Sequence, residues 1–84
     1  MSEGEVFRVS DFGFSAYLLV SGFCLVDVAS DDRSSRRKVF LLSGTPASFK
    51  EIAERFRVGD ALVDARDFLA AQRRLKHVLY GFGT

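Results

Sequence analysis

The fold is decided by residues 37–59, which read RKVFLLSGTPASFKEIAERFRVG. The run Val39-Phe40-Leu41-Leu42 is apolar, with a β-branched and an aromatic residue, and predicts a strand. Thr45 and Pro46 then supply a helix N-cap and a first helical residue that needs no N–H donor. Apolar residues at helical spacing follow and a glycine ends the run; these positions are Phe49, Ile52, Ala53, Phe56 and Gly59. The segment therefore predicts a strand that leads directly into an amphipathic helix.

Two further elements precede this segment. Residues 23–28 predict another strand, which pairs with the strand ending at Leu42 in an antiparallel hairpin whose polar loop spans residues 29–35. Before the hairpin, Ser10 and Asp11 cap a short apolar helix that stops at Gly22. Nearly every side chain of this first helix is apolar or small, so we expect it to be buried on more than one side.

A third helix follows Asp64, because Asp64 and Asp67 both favour the positive end of a helix. Before it, residues 61–63 can add a short third strand. The apolar stripe of the third helix consists of Phe68, Leu69, Ala71, Leu75, Val78, Leu79 and Phe82. The predicted fold is therefore α+β: a helix, an antiparallel β-hairpin with room for a short third strand, then two helices packed on one sheet face.

Length and charge limit the class of protein. With 84 residues the chain has room for one core, so we expect a single domain over residues 1–84, with residues 1–8 as a flexible or edge N-terminus. The net charge is only +1, from 12 basic and 11 acidic residues, far from the strongly cationic field of an arm-type nucleic-acid binder. No apolar run approaches the roughly 20 residues that cross a bilayer, and the acidic N-terminus lacks a signal-peptide core. We expect a cytoplasmic protein.

The single cysteine and single histidine leave little room for site chemistry. Cys24 lies in an apolar run over residues 23–26, which predicts a small buried side chain in a reducing compartment. One Cys and one His cannot supply the ligands of a zinc site, so we expect no metal and no cofactor. The turn Ser43-Gly44-Thr45 could offer N–H groups to an anion, but it lacks the phosphate-loop pattern and is better explained as a turn and cap.

The order of these elements has a counterpart in a known family. The matching positions are Asp11 followed by Ala16-Tyr17-Leu18 and Gly22, then Val39-Phe40, Phe56, Gly59, Val63-Asp64, Phe68 and Leu75-Lys76. With these motifs, from Asp11 to Tyr80, the chain resembles a family of small phage and bacterial proteins catalogued only as a domain of unknown function. The resemblance implies a shared fold and a phage or mobile-element origin, and it transfers no catalytic residues.

Two basic clusters provide candidate binding residues. The hairpin cluster consists of Arg33, Arg36, Arg37 and Lys38, and the helical cluster of Arg66, Arg73, Arg74 and Lys76. If the fold brings the two clusters together, they form a phosphate-binding face. The simpler interpretation is a solvated face, with the helical cations offsetting the helix dipole.

The surplus of apolar residues indicates a second kind of surface. If one domain cannot cover its apolar residues, the remainder is a protein interface, and self-association or docking on a larger assembly follows. The residues concerned are Phe12, Phe14, Leu18, Leu19 and Phe82.

We therefore predict a non-enzymatic, homodimeric binding module that docks on a protein or nucleoprotein partner. Direct DNA or RNA binding through the basic face is the alternative. A small enzyme with a site at a dimer interface is the more remote alternative, because a chain of 84 residues leaves little interior for a pocket. Its acid or base candidates are Asp11, Tyr17, Asp64 and His77.

Overall fold

The computed structural model describes residues 4–31 and 34–82. In chain order the elements are strand β1 (Glu5–Val9), helix α1 (Phe12–Val20), strands β2 (Cys24–Asp31) and β3 (Ser34–Gly44), and helices α2 (Pro46–Val58) and α3 (Ala65–Phe82). The strands form one antiparallel sheet in the order β1-β3-β2. The predicted α+β class is therefore confirmed, with β3 as the central strand.

The third strand is β1, and residues 61–63 form a connection instead. β1 pairs with β3 from Glu5 opposite Gly44 to Val9 opposite Phe40, which completes one edge of the sheet. Residues 61–63 lie outside the sheet, between α2 and α3, and Leu62 is 88% exposed. Placing a third strand at residues 61–63 was therefore wrong.

The β2–β3 hairpin extends farther than its apolar residues predicted. β2 continues to Asp31 and β3 begins at Ser34, so most of the predicted loop over residues 29–35 is strand. Ser30 lies opposite Lys38, whose Nζ donates a hydrogen bond to the Ser30 hydroxyl at 3.2 Å. Antiparallel pairing satisfies backbone groups whatever the side chain, so polar residues could continue both strands.

Helix α1 lies over the sheet and is capped as predicted. The Asp11 carboxylate accepts a hydrogen bond from the Phe14 N–H at 2.7 Å, and Gly22 follows the helix with a φ of 109°. The helix contacts α2, α3 and the sheet, which confirms its burial on more than one side. The fully buried apolar side chains that α1 shares with β3 and α3 are Ala16, Leu18, Leu42 and Leu75.

The other two helices also begin at their predicted caps. The Thr45 hydroxyl accepts from the Ser48 N–H at 3.2 Å and starts α2. The Asp64 carboxylate accepts from the N–H groups of Arg66 and Asp67, at 2.9 and 3.2 Å, and starts α3. Local side-chain hydrogen bonds therefore set where these helices begin.

Aromatic rings attach α2 to the rest of the domain. Phe49 stacks on Phe7 of β1, with ring centroids 4.1 Å apart and planes within 4°. Phe56 contacts Phe14 and Tyr17 of α1, with centroids 5.0 and 5.8 Å apart. Because no residue of α2 is fully buried, these rings provide much of its attachment.

Gly44 is required for the close packing of Phe23. A Cβ at Gly44 would lie far inside van der Waals contact with the Phe23 ring, which is only 6% exposed. Gly44→Ala should lower the free energy of unfolding by about 1–3 kcal/mol, the usual cost of overpacking. Gly13→Ala is the matched control, because its Cβ would come no closer than 3.5 Å to the Asp11 carboxylate. Urea denaturation measures the free energy of unfolding of both variants. Equal stability of the two variants would contradict this packing.

Helix α2 should exchange its amide hydrogens faster than α1. Four residues of α1 are buried and none of α2 is, so local opening of α2 breaks fewer buried contacts. Hydrogen–deuterium exchange by mass spectrometry at neutral pH compares the two helices directly. Phe49→Leu should accelerate exchange in α2 further while α1 changes little. Equal protection of both helices in the wild-type protein would refute this difference.

Candidate binding surface

Helix α3 presents a basic face to solvent. Arg66, Arg73 and Tyr80 recur every seven residues, about two helical turns, and so lie on one side of the helix. The opposite side carries Ala71 and Leu75, which are buried against the core at 8% and 0% exposure. We call the solvent side of the helix the α3 surface. It consists of Arg66, Leu69, Arg73, Lys76, His77 and Tyr80.

The α3 surface combines cations with exposed apolar area. Leu69 is 51% exposed and Tyr80 is 72% exposed, and the basic side chains around them are exposed as well. Asp67, the acidic residue of α3, lies on a different side of the helix, the same side as Arg74 two turns later. The α3 surface itself therefore contains no acidic residue to neutralise its charge.

A shallow cavity of about 280 Å³ lies next to this surface, between α1 and α3. Both helices line it, and its charged lining residues, Asp67 and Arg74, are about 10.5 Å apart along the helix axis. The apolar lining residues are Leu19, Val20, Ala70 and Ala71. The volume is just below the roughly 300–1,000 Å³ of ligand pockets and is sufficient for a side chain of a docking partner.

The hairpin cluster is described only in part. Arg33 lies outside the described residues, and so do the side chains of Arg36 and Arg37, whose backbone belongs to β3. Lys38 is half-buried and bonds Ser30. The union of the hairpin and helical clusters in one face therefore stays a prediction, and of the helical cluster the structure shows only that its side chains are exposed.

The residues predicted to form an apolar interface are mostly covered within one chain. Leu18 is 0% exposed, which corrects its assignment to an interface. Phe12, Phe14 and Leu19 are half-buried and pack against the core, while the Phe82 side chain lies outside the described part of the chain. The added strand β1 widens the sheet beneath the helices, and this widening gives α1 more apolar cover than a two-stranded hairpin would.

Cys24 is exposed, which corrects its prediction as a buried side chain. It lies opposite Ser43, whereas the next residue, Leu25, lies opposite the fully buried Leu42. Sequence reasoning failed here because the apolar run over residues 23–26 suggests a strand buried on both sides. Only one side of this sheet is covered by helices, so alternate residues of the run face outward.

The acid and base candidates have structural roles or lie apart. Asp11 and Asp64 are helix caps, and Tyr17 is 6% exposed beside the Phe56 ring. His77 lies on the α3 surface. Across residues 4–31 and 34–82, no group of three or more His, Cys, Asp or Glu side chains could hold a metal ion.

These features define a small α+β domain whose three-stranded antiparallel sheet is covered by helices on one face. A family model described as a domain of unknown function (DUF5659) matches residues 4–81 of the 84-residue chain. The chain therefore belongs to this family, and the resemblance read from its motifs is confirmed. Searches of curated proteins and of solved structures each found no match. Among the described residues, no helix has the length and apolarity needed to cross a membrane.

Leu18 and Leu69 should respond very differently to the same truncation. Leu18→Ala should lower the free energy of unfolding by about 2–5 kcal/mol, because it empties space in the core. Leu69→Ala should change the free energy by about 0.5 kcal/mol or less, because Leu69 is 51% exposed. Chemical denaturation of the two variants measures the contrast, and similar losses would show that Leu69 is not a surface residue.

Proposed function

We propose that this protein is a non-enzymatic, cytoplasmic binding module that docks on a protein or nucleoprotein partner through the α3 surface. The observation that supports the proposal is the exposure of cations together with Leu69 and Tyr80 on one helix face without an acidic residue. A phage or mobile-element origin is part of the same proposal and is supported by the family resemblance alone.

The composition of the α3 surface suits a protein partner. Arg and Tyr are enriched among residues that dominate binding energy, because they combine a large contact area with hydrogen bonds. Leu69 and Tyr80 are 11 residues apart, about three helical turns, so both can enter one groove of a partner. The cations between and beside them, such as Arg73, favour a partner whose groove is rimmed by acidic residues.

Arg73→Glu and Tyr80→Ser should each weaken binding of such a partner by about 10-fold or more. Proteins captured from a bacterial lysate by the wild-type protein are identified, one is purified, and its dissociation constant for each variant is measured by calorimetry. Lys50→Glu is the matched control, because it makes the same charge change at an exposed helical position on α2. A partner that binds Arg73→Glu as tightly as Lys50→Glu would contradict docking through α3.

Direct nucleic-acid binding is the second candidate, and the same unneutralised cations favour it. If Arg66, Arg73 and Lys76 each contact a phosphate of duplex DNA, the logarithm of affinity should fall with the logarithm of salt concentration with a slope of about −3. Fluorescence anisotropy with a mixed-sequence duplex and a single strand measures this slope. Steep salt dependence that Arg73→Glu flattens would favour this candidate over a protein partner. An affinity that does not change with salt concentration would contradict direct nucleic-acid binding.

A further inference from the structure

The face of the sheet away from the helices carries exposed side chains on both edge strands, Val6 and Arg8 of β1 and Val26 and Asp27 of β2. The core side of the sheet carries Phe40 and Leu42 of β3, so the residues between and beside them in the strand point the other way. We call the side of the sheet away from the helices the outer face. It is centred on Val6 and Arg8 of β1, Val39 and Leu41 of β3, and Val26 and Asp27 of β2.

The centre of the outer face is apolar. Val6 and Val26 are 55% and 54% exposed, and Leu41 between the edge strands is half-buried. Val39, on the same side of β3, is 5% exposed and so is already covered within one chain, which leaves Val6, Val26 and Leu41 as the apolar residues open to a partner. A sheet with one solvated face normally alternates apolar and polar residues, so aliphatic side chains on the outer face indicate that it is covered in an assembly.

A β-bulge brings two opposite charges into one row with Leu41. The register of β2 shifts between Leu25 and Asp27, so that Asp27 lies directly opposite Leu41. On the other side of β3, Arg8 also lies directly opposite Leu41. The row across the three strands is therefore a cation, a leucine and an anion, with the backbones of the two charged residues about 10 Å apart at two strand spacings.

Neither of these charges forms an ion pair among residues 4–31 and 34–82. Arg8 has no carboxylate partner there. One oxygen of Asp27 accepts the Val28 N–H at 2.8 Å, which holds the side chain in place while the second oxygen stays available. Both residues are exposed, so each can meet an opposite charge from outside the chain.

We propose that the outer face is the interface of a homodimer in which two sheets stack face to face. The two-fold axis runs parallel to β3 and passes over Leu41. Rotation about that axis exchanges the two edge strands without moving residues along them, so Arg8 of one copy lies over Asp27 of the second copy, and the reverse pair also forms. Leu41 meets Leu41 of the second copy between these pairs, at the roughly 10 Å spacing of stacked sheets.

The two charges beside Leu41, Arg8 and Asp27, favour a second copy as the occupant and favour one symmetry over another. A second copy supplies an anion where this chain has Arg8 and a cation where it has Asp27, which is the complementarity a two-fold interface requires. A two-fold axis perpendicular to the strands would instead place Arg8 over Arg8 and Asp27 over Asp27, and like charges in contact are unfavourable. Stacking about the axis parallel to β3 is therefore preferred.

The outer face is small, which places the dimer among weak or transient complexes. Its strands have 5, 8 and 11 residues. At about 3.3 Å per residue and 4.8 Å between strands they give a flat footprint of about 380 Å². This is below the roughly 800 Å² per partner of a standard interface, so we expect a dissociation constant in the micromolar range.

Sedimentation velocity of the full chain tests the dimer. The protein is kept in reductant, and its concentration runs from about 5 to about 500 µM, which brackets a micromolar dissociation constant. The wild-type protein should dimerise with concentration. Arg8→Asp and Asp27→Arg should each weaken the dimer by about 10-fold or more, because each places like charges together twice. The double variant Arg8→Asp/Asp27→Arg should restore the wild-type dissociation constant to within about 3-fold, since it exchanges the charges of both pairs.

Several results would overturn this dimer. They are a wild-type chain that stays monomeric, single variants that dimerise normally, and a folded double variant that does not recover. If one single variant fails to fold by circular dichroism, the other single variant and the double variant still give the comparison. Lys50→Glu is the charge control and should dimerise normally. The dimer does not depend on the α3 surface, so Arg73→Glu should dimerise normally as well. The homodimer and the docking through α3 are therefore tested independently of each other.

Discussion

The rest of the structure depends on the burial of one side of β3 beneath the helices. Phe40 and Leu42 are 3% and 0% exposed, and they share the core cluster with Leu18 of α1 and Leu75 of α3. A domain this small has few such side chains, so each buried leucine contributes a large part of its stability. The central position of β3 lets one strand serve both edge strands and α1 at once.

All the helices lie on this one side, and that arrangement creates the two surfaces with functional interest. The α3 helix packs through Ala71 and Leu75 and so turns its cations and Tyr80 to solvent. The sheet, covered on one side only, turns Val6, Leu41 and two opposite charges the other way. The two surfaces come from different elements, so the two proposed interactions would not compete for the same residues.

Helix α2 has a different relation to the core. It follows the central strand directly after Gly44 and Thr45, yet it contacts the domain through only a few side chains, among them Phe49, Ile52 and Phe56. Ring contacts give a large contact area from few residues, which explains the heavy use of Phe in a chain without Trp. The cost is a helix whose remaining surface, including Val58 at 56% exposure, stays open to solvent.

The sequence by itself determined what depends on neighbouring residues: the caps at Asp11, Thr45 and Asp64, the helical periodicity of α2, and the basic spacing along α3. Tertiary structure decided what depends on distant partners. The pairing of β1 with β3 and the exposure of Cys24 belong to this second group. The bulge that aligns Asp27 with Arg8 belongs there too. The physical reason is that a strand finds its pairing and its buried side only when other parts of the chain supply both, and no local pattern encodes which parts do so.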